Sequence, residues 1–246
     1  METFRLNDLI RRIEGASEPR VELLTPGGRT GPRLGVLAAS FNPVTIAHVE
    51  LIHRAAEAFS IDETLALAGI TNADKSGYEC SLGDRLTMLQ LAFGDDSRVS
   101  IGLSSHAFYV DMIDALERVC PRGTDLHFVV GFDTFERVLD FDDRYTQRYH
   151  RSFSHRGDAL RHLLSRSRLI VAARAGAGLD AVSTLLEGEP AAIRRRILYL
   201  DFPSDLGELS ATEVRSLIVK GLPIAGLVPE PVERYISDRG LYRAAT

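Results

Sequence analysis

LGVLAASFNPVTIAH, residues 34–48, is the stretch on which the fold turns. LGVLAA (34–39) is a short apolar run of the kind that forms a buried strand. Phe41, Asn42 and Pro43 then turn the chain, and a helix follows to about Phe59, with Leu51, Ala55 and Ala58 on its apolar face. The same alternation continues outward. TLALAGI (64–70), RVSIGLS (98–104), LHFVVG (126–131), RLIVAAR (168–174) and ILYLD (197–201) read as strands. Helices are expected over about 83–93, 108–119, 211–219 and 230–238. Strands alternating with helices imply a doubly wound, Rossmann-like α/β fold with a parallel sheet covered on both faces. Ligands of such sheets bind outside the carboxyl ends of the strands, where strand order reverses.

Upstream, residues 4–14 form an expected amphipathic helix carrying Leu6, Leu9, Ile10 and Ile13, and TPGGRTGPR (25–33) reads as a loop. Residues 1–33 are therefore read as an N-terminal extension, and 34–246 as the main domain. Residues 71–81 look like a loop. The stretch 141–158, polar, aromatic and rich in Arg and His, reads as a mobile insertion.

With 246 residues, 45% of them apolar, the chain can bury a large core. A formal charge of −5 argues against general affinity for nucleic acid or anionic membranes, so a phosphate ligand needs a local basic pocket. Only Lys75 and Lys220 among the 29 basic residues are lysines. Cys80 and Cys120 form no CxxC pair, which argues against a zinc or redox motif and for a reducing, cytoplasmic setting. No apolar segment of the signal-peptide or membrane-spanning kind opens the chain. His53 and His127 read as structural or superficial, and His150, His155 and His162 lack metal-ligand spacing.

Two clusters carry chemistry. Ser40, Phe41, Asn42, Thr45 and His48 lie directly after the first strand, and Thr45 and His48 share a face at the first helical turn. Free N–H groups and a positive dipole end favour phosphate there. The same residues also suit an ordinary turn with a Thr cap. Near the C-terminus, Ser210 and Glu213 have capping-box spacing, while Thr212 and Arg215 share a face at the same helix start. A hydroxyl, free N–H groups and a guanidinium together suit a triphosphate.

Together these segments resemble a known family. SFNPVTIAH is similar to the GSFDPxHxGH and GSFNPxTxxH motifs of nicotinate- and nicotinamide-mononucleotide adenylyltransferases, and LSATEVR (209–215) resembles their ISSTxIR motif. VVGFD (129–133) looks like their IIGAD segment, GDRLTMLQLA (83–92) like their xxRxxMxxLA helix, and VPEPVERYISDRGLYR (228–243) like their closing PxxVxxYIxxxxLY. Ala39, Ala47 and Ala211 stand where the family has Gly, Gly and Ser.

The resemblance implies a nucleotidylyltransferase joining ATP to a pyridine mononucleotide, with release of pyrophosphate, in NAD biosynthesis. It implies catalytic roles for His48, Thr45 and Arg215. It implies ATP contacts from Ser40, Phe41, Asn42, Gly131, Asp133, Ser210 and Thr212, and substrate contacts from Lys75 and Tyr109. Mg²⁺ is expected to arrive with the ATP. Neither nucleic acid nor a membrane is expected as a partner, and assembly into a homo-oligomer is left open. Other transfers on the same fold, to phosphopantetheine or from CTP, remain alternatives. So does a nucleotide sensor without turnover.

Overall fold

A computed structural model of the chain describes residues 9–25, 31–71, 78–172 and 178–243. Seven strands form one sheet: β1 (Val21–Thr25), β2 (Arg33–Ala39), β3 (Glu63–Gly69), β4 (Val99–Ser104), β5 (Asp125–Gly131), β6 (Ser167–Ala172) and β7 (Ile197–Leu200), in the order β1-β4-β3-β2-β5-β6-β7. All pairs are parallel except β1 with β4. Strand order reverses beside β2, which pairs with β3 on one side and β5 on the other. The residue after β2 therefore opens into the crevice where a doubly wound sheet binds its ligand.

The helices are α1 (described over 9–14), α2 (Ile46–Phe59), α3 (Leu82–Phe93), α4 (Tyr109–Val119), α5 (Phe132–Leu139), α6 (Arg156–Leu164), α7 (Leu179–Leu185), α8 (Ala191–Arg194), α9 (Ser204–Glu208), α10 (Ala211–Val219) and α11 (Glu230–Arg239). Side chains alternate across each strand, so neighbouring residues serve opposite cores. Leu37, Ala66, Ala68 and Val129 face a core shared with Ile52 of α2, Leu89 of α3, Val214 of α10 and Val232 of α11. Val36, Leu65, Leu67 and Phe128 face the other, with Ile113 of α4, Phe135 of α5 and Leu163 of α6. Each such burial of a large apolar side chain contributes roughly 1.5–3 kcal/mol.

The sheet is not wholly parallel, because the extension contributes to it. β1 lies antiparallel on β4, and Gly102 permits the approach: a Cβ there would stand 2.9 Å from the Glu22 carbonyl oxygen. Ile13 is fully buried in the first core. The stretch 141–158 is largely exposed but is anchored at its middle. Tyr145 and Thr146 are buried, the Tyr149 ring meets the Phe108 ring at 5.1 Å, and the Arg156 end starts α6. The stretch is held by Asp140, a buried residue in the left-handed region (φ 48°) that ends α5. Its carboxylate accepts from Tyr145 N–H (3.0 Å), Thr146 N–H (2.9 Å) and the Thr146 hydroxyl (2.9 Å).

Because Asp140→Ala strands two buried N–H groups, it is expected to lower the unfolding free energy by about 2–4 kcal/mol. Urea denaturation monitored by circular dichroism checks this. A loss below about 0.5 kcal/mol, the ordinary range of a surface change, would contradict the packing described.

Candidate active site

The first cluster is built by the end of β2 and the start of α2. Thr45 is the N-cap of α2, and its side chain accepts from His48 N–H (3.4 Å). Reciprocally, Thr45 N–H donates to His48 Nδ1 (3.0 Å), and the Thr45 hydroxyl also lies 2.8 Å from that nitrogen. This is a capping box with histidine in the place usually held by Glu or Gln. The cap that the spacing of these residues suggests is thus formed. Since Nδ1 accepts, the proton of the neutral ring sits on Nε2, which leaves an N–H donor directed away from the cap. Burial holds the ring neutral by pushing its pKa down from 6.5 to about 4.

Phe41 is fully buried and packs its ring 5.1 Å from the His48 ring. Its side chain therefore positions the histidine, and ligand contact at this residue is left to the backbone. Phe41 itself holds φ at 47°, a conformation non-glycine residues seldom adopt and one concentrated at functional sites. Asn42 is also buried, and both ends of its amide are bonded. Nδ2 donates to Glu79 Oε2 (2.5 Å), while Oδ1 accepts from the Tyr242 hydroxyl (2.8 Å) and the Cys80 thiol (3.1 Å). Burial pushes both that thiol and that phenol up, so both stay protonated as donors.

The second cluster reaches the first through Arg215. Its Nη1 donates to the Asn42 carbonyl at 2.6 Å, across 173 residues of sequence. Nη2 donates to the Thr212 hydroxyl (3.3 Å) and pairs with Glu79 Oε1 (3.0 Å). Ser210 is the N-cap of α10 and accepts from Glu213 N–H (3.1 Å); only the Ser half of the expected capping box forms. The N-termini of α2 and α10, His48, Thr212 and Arg215 thus make one donor-rich cradle. A carboxylate, Glu79, stands against its guanidinium.

A deeper support was not legible beforehand. Arg85 of α3 is 1% exposed, and its Nη1 donates to the carbonyls of Ser40 (2.8 Å) and Gly69 (2.9 Å). The Tyr78 ring covers the guanidinium at 3.7 Å, and the Tyr78 hydroxyl donates back to Gly69 O (3.1 Å). One buried cation therefore ties the ends of β2 and β3 together. The resemblance of GDRLTMLQLA pointed to this helix, but an arginine on an amphipathic helix ordinarily reads as a solvated one.

Beside the cradle opens a cleft of about 280 Å³. Ala39 and Ser40 line it at the end of β2, Phe108 and Tyr109 at the start of α4, Thr134 and Arg137 on α5, and Tyr145 and Tyr149 beyond. Tyr109 lines this cleft and also packs edge-on against Phe128 at 5.1 Å, so it serves both core and site. Gly131 ends β5 at the same crevice, and Asp133 is exposed in the first turn of α5. Lys75 lies outside the described residues. Among the described residues no three His, Cys, Asp or Glu side chains gather as a metal site.

The Cytidylyltransferase-like family model matches residues 36–217. The chain is 30% identical to a probable nicotinate-nucleotide adenylyltransferase of Bordetella petrii, over 86% of this chain and 99% of that protein. It is 28% identical to the protein of the same description from Geobacter sulfurreducens, over 85% and 98%. Among solved structures it resembles the Plasmodium falciparum nicotinic acid mononucleotide adenylyltransferase complexed with NaAD, with a TM-score of 0.64 at 18% identity, covering 86% of this chain and 98% of that one. At that identity the structural likeness speaks for the fold.

Histidine NMR tests the His48 geometry. The ring is expected to be the Nε2–H tautomer at pH 7 and to titrate near pH 4. The folded pKa lies below the unfolded 6.5, so as pH falls from 6.5 towards 4 the unfolded chain takes up a proton that the native chain does not. Stability is lost across that window, and His48→Gln should flatten this part of the stability profile. Titration near 6.5 would contradict the buried, capping orientation.

Proposed function

The chain belongs to the Cytidylyltransferase-like family, among its nicotinate-nucleotide adenylyltransferases, and on that premise we propose how its residues carry out adenylyl transfer to a pyridine mononucleotide. The enzyme is a nucleotidyltransferase of NAD biosynthesis. It joins ATP to nicotinate or nicotinamide mononucleotide and releases pyrophosphate. A relative solved with NaAD, and the same Plasmodium enzyme solved with APC, support binding of a nucleotide pair of this kind.

In the proposed reaction an oxygen of the acceptor's 5′-phosphate attacks the α-phosphorus of ATP in line. A P–O bond forms there as the bond to the β-phosphate oxygen breaks, and pyrophosphate carries away the electron pair. The nucleophile is already an anion at neutral pH, so the site needs donors and cations rather than a base. The cradle has that composition. His48, neutral with its proton on Nε2, donates to the phosphates without adding a charge that acid would switch. Arg215, with Ser210 and Thr212 at the start of α10, holds the β- and γ-phosphates. Thr45 fixes the His48 ring, and the Ser40, Phe41 and Asn42 backbone forms the floor. Gly131 and Asp133 meet the ATP ribose at the head of α5.

The hydroxyls, imidazole and guanidinium of the cradle are anion ligands. We therefore assign Mg²⁺ to the triphosphate itself, where it neutralises charge while keeping most of its waters. The aromatic cleft between α4 and α5 takes the pyridine end of the acceptor, with Tyr109 in its wall. Lys75 is retained as a phosphate contact on the strength of the family resemblance. Cys80 and Cys120 are not joined in a disulfide, which supports a cytoplasmic setting.

One observation carries this reading: the 2.6 Å bond from Arg215 to the Asn42 carbonyl brings both phosphate motifs to one place. The test is dinucleotide formation from ATP with each mononucleotide, beside 4′-phosphopantetheine as control. His48→Ala is expected to lower kcat by at least about a hundredfold with the fold intact, as for loss of a transition-state donor. Arg215→Ala should chiefly raise the KM for ATP. Turnover of phosphopantetheine alone, or near-normal rates in the His48 variant, would overturn the assignment.

A further inference from the structure

Arg137 is the only charged residue in the lining of the cleft among the described residues. It sits one turn into α5, and its neighbours on that face, Thr134 and Val138, line the cleft with it. Its Nε donates to the Asp133 carbonyl one turn back (3.1 Å), which fixes the stem of the side chain on its own helix. Its positive charge is felt at the Tyr109 hydroxyl on α4, where it partly offsets the burial that pushes that phenol up. The rest of the lining is uncharged, and five of its side chains are rings: Tyr78, Phe108, Tyr109, Tyr145 and Tyr149. Arg148 and Arg85 stack on lining rings, over Phe108 (5.3 Å) and Tyr78 (3.7 Å), whereas Arg137 lines the cleft itself, and a cation beside such rings favours a flat ring that bears negative charge.

The two acceptors differ only in the ring substituent, a carboxylate on nicotinate and a carboxamide on nicotinamide. Both carry the same 5′-phosphate. That phosphate must meet the α-phosphorus at the cradle, which the cleft joins at Ser40. On the reading above the ring end enters the cleft, whose lining includes Tyr109 of α4 and Arg137 of α5.

We propose that Arg137 is a specificity-determining residue whose guanidinium pairs with the carboxylate of the pyridine ring, so that nicotinate mononucleotide is taken in preference to nicotinamide mononucleotide. This rests on the adenylyltransferase reading above and assigns the choice of acceptor within it. A carboxamide offers no charge to the guanidinium and directs an N–H₂ towards donors it cannot satisfy. A site built for a charged hydrogen bond therefore discriminates against it.

The experiment is steady-state kinetics of the full chain at saturating MgATP, with each mononucleotide in turn, for the parent, Arg137→Gln and Arg137→Lys. Arg137 is exposed, so the variants are expected to melt with the parent. In Arg137→Gln, kcat/KM for nicotinate mononucleotide should fall about 10- to 100-fold, while that for nicotinamide mononucleotide changes less than about threefold. Arg137→Lys, which keeps the charge, should recover part of the preference. Equal losses on both acceptors would assign Arg137 to the shared phosphate and overturn this inference alone. A rise only in the KM for ATP, or a parent that prefers nicotinamide mononucleotide, would do the same. Absence of turnover with either acceptor in the parent would overturn the adenylyltransferase reading, and this inference with it.

Discussion

The hydrogen bond from Arg215 Nη1 to the carbonyl of Asn42 is the contact on which the site depends. Without it the chain holds two separate helix starts, each a modest anion trap. With it, the N-terminus of α10 is fixed against the turn that leads into α2. The Arg215 side chain is 11% exposed, so water competes little for its bond to the Asn42 carbonyl, and a charge-assisted hydrogen bond gains weight there. Glu79 completes the arrangement by bonding both Arg215 and the Asn42 side chain. A triphosphate competes with that carboxylate for the same guanidinium.

Beneath this contact lies a second layer that holds the turn in shape. Arg85 ties Ser40 to Gly69, so the ends of two neighbouring strands cannot separate. Its Nε is one of two buried side-chain polar atoms without a partner among the described residues, a cost accepted to keep the cation there. From the far end of the chain, Tyr242 reaches Asn42 Oδ1, just past α11. The closing segment thus supports the turn that begins the site. The left-handed conformation of Phe41 persists because these contacts over-determine it.

Much of this was legible in the residues, for reasons that are local. The run 34–39 is apolar because β2 is buried on both faces, and alternation of Leu65, Ala66, Leu67 and Ala68 between two cores leaves no polar face to read. Thr45 and His48 lie three apart, which is the spacing of a capping box, and they form one. What escaped was decided by distant partners. VELLT (21–25) joins the sheet as β1 only because β4 offers Gly102 opposite it. The stretch 141–158 read as an insertion because its charges dominate its composition. Its Tyr145 and Tyr149 line the cleft, and Tyr145 is held by Asp140. The burial of Arg85 and the placing of Glu79 depend on carbonyls and amides that carry no sequence signature.

The role of the Arg215 cradle depends on where ATP lies. The most direct measurement is a crystal structure of the chain with a non-hydrolysable ATP analogue and Mg²⁺. The β- and γ-phosphates are predicted between His48 Nε2 and Arg215, at the N-termini of α2 and α10, with Glu79 displaced from the guanidinium. A nucleotide bound elsewhere, with the Arg215–Glu79 pair intact, would contradict it.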